Sequence, residues 1–408
     1  MVGSYDGSGN YGDVLQFAAS LRMVRRLESA PLPVAILERA TLDHHAVLVA
    51  EFPELFEGAA FAHFADAADP GGDGLVPLEA GRAPSASALY LYGGGYLNRW
   101  WGQRKADLAD AAERLSASDG ALPLIASGLQ VEADSVAPGG SAHALLSRAS
   151  HLGARDIGSL ELMRALARAR TRVELVADDA IPLLEPGVPI DDSTVNVHLN
   201  AGSWVEVEPA GLARFLCAIG REARMPLSLR PVIAYEDPRV SETEQMQSML
   251  RRHGPGLEAA GLTPSEPIHA LAEAADDGFA SLRRARLTVS CSYHVALTSL
   301  LAGIPTVLLA ENGYYDQKAA GLRHLFELGP GLVGVHGERD DATAAAAVLA
   351  DGPSRDALVA HLRRRSPEVV GLQARGREAV AAALERSLRG PRSTPARARS
   401  LIRRLVAR

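Results

Sequence analysis

The stretch 285–326, ARLTVSCSYHVALTSLLAGIPTVLLAENGYYDQKAAGLRHLF, narrows the fold more than any other part of this sequence. Residues 287–290 and 306–309 are short runs without polar alternation, as expected of parallel strands buried on both faces. Between them 294–302 has the length of a helix, and Gly303-Ile304-Pro305 makes a tight return. Strand, helix and strand form a βαβ unit, whose ligand side lies beyond the carboxyl ends of its strands. Cys291, Ser292, Tyr293 and His294 fall on that rim, and the second strand sends the loop 311–318 to it. One sheet edge thus collects a histidine, Lys318 and the tyrosines Tyr314 and Tyr315.

The same alternation runs through the chain. Strands are expected at 33–37, 59–64, 88–92, 122–126, 151–156 and 173–176, with helices at 14–27, 105–115 and 159–169. After the proline-rich segment 182–192, strands at 194–199 and 227–235 flank a helix at 209–224, with another helix at 242–252. The region 342–388 is alanine- and arginine-rich and helical. Such alternation predicts α/β domains with mostly parallel sheets. A chain of 408 residues is too long for one ordinary core, so about two domains are expected. The expected layout is an N-terminal α/β domain over 1–181, a linker over 182–192 and a C-terminal α/β domain over 193–365. A C-terminal helix (366–389) and a basic tail (390–408) complete it. The start is unusual: a glycine-rich loop, 4–13, follows almost at once, leaving two or three residues for the strand that should precede it. The expectation is that the natural start lies upstream.

The net charge of −7 is unevenly spread. Residues 386–408 hold eight arginines and no acid, which leaves about −15 on the rest and argues against nucleic acid as a partner. The tail is either solvated and disordered or a short basic amphipathic helix on an anionic membrane. No apolar run reaches about 18 residues, and two cysteines, Cys217 and Cys291, cannot build a disulfide framework. The cytoplasm is the expected location, at the inner face of the membrane only in the case that the tail forms that amphipathic helix. No metal site is expected, since His44-His45 lacks ligand-spaced companions.

Glycine-rich segments end two of the early elements. Gly7-Ser8-Gly9-Asn10-Tyr11-Gly12 fits G-x-G-x-x-G, a weak sign of a dinucleotide site without a strand ahead of it. Gly93, Gly94 and Gly95 follow a buried strand and would let an anion approach the backbone, or simply make a tight turn. Arg155 and Lys318 are the cations best placed on strand rims for a phosphate or carboxylate. His294 opens a helix, where the helix dipole disfavours its positive charge unless an anion is bound.

In this order the residues resemble the polysaccharide pyruvyl transferase family. Its N-x-G-D opening is matched by Asn10, Gly12 and Asp13, and its glycine triplet by Gly93, Gly94 and Gly95. R-D-x-x-S resembles Arg155, Asp156 and Ser159, and an aspartate after the next strand resembles Asp178. S-x-R-x-H, A-G-I-P and a following lysine resemble Ser290 to His294, Ala302 to Pro305, and Lys318. One position departs: the family arginine before the histidine is Ser292 here, so a cation is lost unless another residue such as Arg323 supplies it.

The resemblance implies two Rossmann-like domains facing a cleft, similar to GT-B glycosyltransferases, with a helical C-terminal segment. It implies transfer of a pyruvyl ketal from phosphoenolpyruvate to a glycan or lipid-linked sugar acceptor, with loss of phosphate and no cofactor. Arg155, His294 and Lys318 would hold the donor with the glycine triplet. His294 would protonate the donor's C3, and Asp13 or Asp6 would accept the hydroxyl proton. Asp6, Asn10, Gly12 and Tyr314 would line the acceptor side. Two other readings stay open: a nucleotide-sugar glycosyltransferase, and a glycan-binding member that has lost donor chemistry.

Overall fold

The structure, a computed structural model, describes residues 1–5, 10–27, 34–37, 50, 53, 59–63, 76–77, 88–99, 101–115, 122–184, 194–199, 209–233, 251, 261–264, 268–269, 279–310, 313–329, 333–335, 345 and 352–389. Asp6, His44-His45, most of the expected linker, the segments 242–250 and 311–312, and the basic tail lie outside the described residues. The chain forms two compact units, Met1–Pro182 with Leu372–Arg408, and Leu183–Gly371.

Unit 1 holds two parallel sheets. In the smaller, β1 (Val34–Leu37), β2 (Ala59–His63) and β3 (Val76–Pro77) lie in that order. The larger uses β4 (Leu89–Leu91), β5 (Gly94–Leu97), β6 (Leu124–Val131), β7 (His151–Ala154) and β8 (Arg172–Leu175), ordered β4-β6-β7-β8 with β5 also on β6. Around it stand α1 (Tyr11–Arg25), α2 (Gly102–Leu115) and α3 (Ile157–Leu166). The place of a leading strand is taken by a single bridge: Val2 donates its N–H to the Tyr90 carbonyl and accepts that of Tyr92, both at 3.0 Å.

Two expectations for this sheet need correction. The glycine segment after β4 is not a loop throughout; Gly94, at φ +119°, turns the backbone so that residues 94–97 rejoin the sheet beside β6 and bury Tyr96 and Leu97. Nor does β6 end at residue 126. It runs to Val131 with all eight residues buried, crossing a register shift between Ala126 and Leu129 where Gly128 sits at φ +61°.

Unit 2 carries a six-stranded, wholly parallel sheet. Its strands β9 (Val195–His198), β10 (Leu227–Leu229), β12 (Leu262–Pro264), β14 (Leu287–Ser290), β15 (Thr306–Leu309) and β16 (Val333–Val335) run in the order β12-β10-β9-β14-β15-β16, while β11 (Val232–Ile233) and β13 (Ile268–His269) pair separately. The single strand expected over 227–235 is therefore two, broken at Arg230-Pro231, where proline has no N–H for a ladder. The helices include α4 (Pro209–Ala223), α5 (Tyr293–Leu301) and α6 (Gly313–Phe326). Winding proceeds outward from β9 to one side and then from β14 to the other, so the switch point lies between β9 and β14. Ligands of doubly wound sheets bind outside the carboxyl ends of the strands at that point.

The C-terminal helix α7 (Gly352–Leu388) has its first part in unit 2 and its last in unit 1. In unit 2, Ser366 Oγ donates to the Leu300 carbonyl at 3.3 Å and Arg365 Nε to that of Leu325 at 2.8 Å. In unit 1, Arg377 donates to the Ala19 carbonyl at 2.9 Å. Among the described residues no helix is long and apolar enough to cross a membrane.

Candidate functional site

In unit 2 the rim is built from the strand ends that flank the switch point. The Cys291 N–H donates to the His198 carbonyl at 3.0 Å, joining the ends of β14 and β9. Ser290 ties the next turn: its Oγ accepts the Ser292 N–H at 2.8 Å and donates to the Ser292 carbonyl at 3.1 Å. Ser292 is the N-cap of α5, in extended conformation and without a side-chain cap bond. His294 therefore stands in the first turn of α5, buried, with its ring edge-on to Tyr293 at 5.2 Å. All nine residues of α5 are buried, so the rim rests on a rigid interior helix. Ser299 Oγ donates to Thr288 Oγ1 at 3.0 Å, fixing that helix to β14.

Lys318 is on α6, since the helix begins at Gly313 rather than after the lysine. Residues three and four apart share a helix face, so its Nζ lies 4.0 Å from the ring centre of Tyr314 and 4.6 Å from that of Tyr315. The two rings meet edge to face at 5.5 Å and are buried. Arg323 does not stand in for the arginine missing at Ser292. It lies in the last turn of α6 and donates to the Val333 carbonyl at 3.2 Å, on edge strand β16.

His198 stands in no motif that marks it as a candidate. At the carboxyl end of β9 its Nδ1 faces the Arg230 carbonyl at 3.2 Å. A carbonyl only accepts, so the proton sits on Nδ1, and enclosure lowers the ring's pKa to about 4. His198 is thus neutral near pH 7.

In unit 1 the family-like residues sit at strand ends of the larger sheet. Asn10 caps α1, its side chain accepting the N–H groups of Gly12 at 3.1 Å and Asp13 at 3.4 Å; Asp13 occupies the first turn. Asp156 caps α3 by accepting the Ser159 N–H at 2.8 Å and hydroxyl at 2.9 Å. Ser159 Oγ accepts the Val131 N–H at 3.1 Å, which binds the cap to the end of β6. R-D-x-x-S is therefore a capping device as well as a source of Arg155.

Arg155 lies inside the unit. Its guanidinium donates to Gln130 and reaches Asp178 at 3.4 Å. Asp178 also accepts from Gln16 Nε2 and from the Ala180 N–H, each at 2.8 Å, and Ser4 Oγ donates to Gln16 at 2.9 Å. The next residue, Asp179, accepts the Gly93 N–H at 2.9 Å and the Ser127 hydroxyl at 2.6 Å. Burial pushes Asp179 up to about 6, against the pull of those two bonds. Gln16, Asp179 and Arg377 carry no recognisable pattern in sequence; the fold alone assembles them. Tyr90, raised by burial and by Asp179, also faces the cluster.

The structure thus brings Gly93, Asp178, Asp179 and Arg155 together in unit 1, and Ser292 and His294 onto one turn in unit 2, where α6 carries Lys318 and Tyr314. Among the described residues no three His, Cys, Asp or Glu side chains gather to hold a metal ion.

The model of the family polysaccharide pyruvyl transferase matches residues 10–313. No curated protein matches the chain in sequence. Among solved structures, Anabaena HepE in complex with UDP and glucose aligns with a TM-score of 0.55 at 11% identity, over 92% of this chain and 98% of that one. UDP-GlcNAc 2-epimerase from Neisseria meningitidis bound to UDP-GlcNAc gives 0.53 at 10% identity, over 94% and 98%. LpCGTa in complex with UDP gives 0.52 at 14% identity, over 91% and 96%. The fold is thus that of GT-B glycosyltransferases, α/β with parallel sheets and a C-terminal helix. From the match over residues 10–313, the chain belongs to the polysaccharide pyruvyl transferase family.

Proposed function

We propose that this protein moves the three-carbon unit of phosphoenolpyruvate onto two hydroxyls of a sugar in a surface or extracellular glycan precursor, releasing phosphate. The observation that carries this reading is the place of His294: in the first turn of α5, past the carboxyl end of β14, beside the switch point. The acceptor oxygens bond to C2 of the donor, C3 gains a proton, and the bond from C2 to the phosphate oxygen breaks. Of the two hydroxyl protons lost, one balances the proton gained at C3 and the other leaves with phosphate. His294 is the proton donor to C3. Its protonated form is disfavoured by the helix dipole until the donor's anionic groups arrive, which ties proton delivery to donor binding. Lys318 is the cation for those groups. Asp13 is the proposed base for the hydroxyl proton.

Ser292 favours a second reading. Without an arginine at that turn the protein would take another donor, a nucleotide sugar, or bind glycans without donor chemistry. Thermal shift with phosphoenolpyruvate, UDP and UDP-sugars in separate arms tests the choice. Stabilisation by phosphoenolpyruvate that is lost in His294→Ala and Lys318→Ala supports pyruvyl transfer. Stabilisation by UDP alone refutes it.

A further inference from the structure

The sheet of unit 2 places another basic residue on its carboxyl edge. Arg230 follows β10 directly, beside the end of β9. Its backbone is fixed there from both sides. The Arg230 N–H donates to the Val197 carbonyl at 2.9 Å, and its own carbonyl accepts His198 Nδ1 at 3.2 Å. Pro231 comes next, which restricts Arg230 to extended backbone. The strand order β10-β9-β14 sets Arg230 two strands from the turn that carries Ser292 and His294. Neighbouring strands lie about 4.8 Å apart, so roughly 10 Å separates the two edges across the switch point.

The side chain is held in an unusual way. Arg230 as a whole is half-buried, yet its Nε is enclosed and has no hydrogen-bond partner among the described residues. Arginine keeps its charge when enclosed, and its N–H groups can only donate. An enclosed N–H without an acceptor costs free energy that a neutral side chain of similar length would avoid. His198 does not answer it, since its ring is turned to the Arg230 carbonyl and is neutral near pH 7. Across the switch point the need is the opposite. Ser292 stands where the family pattern has arginine, and Arg323 is turned to the Val333 carbonyl.

We infer that Arg230 supplies the cation that the Ser292 turn lacks, its guanidinium taking an oxyanion of the donor at the carboxyl edge of β10. The inference rests on the pyruvyl-transfer reading for the identity of that donor, and not for the anion site itself. Phosphate and carboxylate share the geometry that a guanidinium grips with two parallel N–H bonds. An oxygen of the ligand then becomes the acceptor that Nε lacks. Arg230, His294 and Lys318 all belong to unit 2, so the donor's anionic groups are held within one unit.

Arg230→Met keeps much of the stem and removes the fork, whereas Arg230→Lys keeps a charge without the fork. Thermal unfolding without ligand compares both with the unaltered protein. Calorimetric titration with phosphoenolpyruvate, inorganic phosphate and UDP, each separately, follows. Without ligand, Arg230→Met should melt no lower than the unaltered protein, because it removes an enclosed N–H that has no partner. Phosphoenolpyruvate should bind Arg230→Met about tenfold more weakly, with Arg230→Lys between the two. An Arg230→Met protein that melts several degrees lower without ligand has lost a structural residue, which overturns the inference. Anion binding that is equal in all three proteins also overturns it.

The separate ligands keep this inference apart from the donor reading. If phosphoenolpyruvate is silent but inorganic phosphate or UDP binds, and that binding falls about tenfold in Arg230→Met, the anion site stands and the donor reading fails. Silence of all three ligands with the unaltered protein overturns both.

Discussion

Arg155 and Asp178 form an ion pair inside unit 1, Nη1 to Oδ2 at 3.4 Å, with the two side chains 2% and 0% exposed. Gln130 and Gln16 complete it from β6 and α1. A buried pair of this kind matters most when half of it is removed, because the remaining charge is left in a medium that cannot solvate it. Arg155→Ala should therefore cost about 3–5 kcal/mol in urea unfolding. Arg155→Met with Asp178→Leu should cost much less. A single-variant loss under about 1 kcal/mol would show that the pair is solvated.

Gly128 tests the fit around Asp179. Its φ is +61° and an added Cβ would come within 2.7 Å of the Asp179 carboxylate. Gly128→Ala should destabilise by about 1–3 kcal/mol, measured from the denaturant midpoint. An unchanged midpoint would mean the carboxylate moves aside at little cost.

Asp179 also predicts a pH dependence of stability. Its folded pKa, about 6, stands above the usual carboxylate value of 3.8, so between those values the folded state holds more proton than the unfolded one. Its contribution is fully present below about pH 3.8 and is lost as pH rises through 6. His198 acts oppositely: lowered from 6.5 to about 4, it adds stability as pH rises through that window. Subtracting the unfolding free energy of unaltered protein from that of Asp179→Asn isolates the first effect. That difference should grow with pH from 4 to 6, by roughly 1–3 kcal/mol. A difference constant over the window would place the carboxyl near its ordinary value.

The fold was legible in this sequence where buried parallel strands leave unbroken apolar runs. β14 and β15 have the bounds the pattern predicts. It was less legible where backbone geometry decides. The expected ends at Ala126 and in the glycine segment failed because Gly128 and Gly94 let the chain bend and continue in the sheet. Lys318 was placed on a loop because the polar segment 311–318 follows a strand, whereas α6 already begins at Gly313. Of the candidate residues, those with a motif around them could be singled out from sequence: Arg155, His294 and the glycine triplet. Asp179, Gln16 and Arg377 were not, since each acquires meaning only from partners distant in sequence. His198 was hidden for the same reason, its partner being a backbone carbonyl after β10.

Ser292 is the position where a gain of function can be sought. It caps α5 with no side-chain bond, so a longer side chain displaces no cap. Ser292→Arg should tighten phosphoenolpyruvate about tenfold, the value of a charge-assisted bond to an anion. Unchanged or weaker binding would show that this turn does not face the donor.

The proposed function requires that the His294 rim, with Lys318, hold phosphoenolpyruvate. Isothermal titration of the unaltered protein, His294→Ala and Lys318→Ala with phosphoenolpyruvate, and separately with UDP, measures it directly. Saturable phosphoenolpyruvate binding that weakens at least about tenfold in each variant, with UDP silent, is the predicted result. Heat from UDP and none from phosphoenolpyruvate would contradict it.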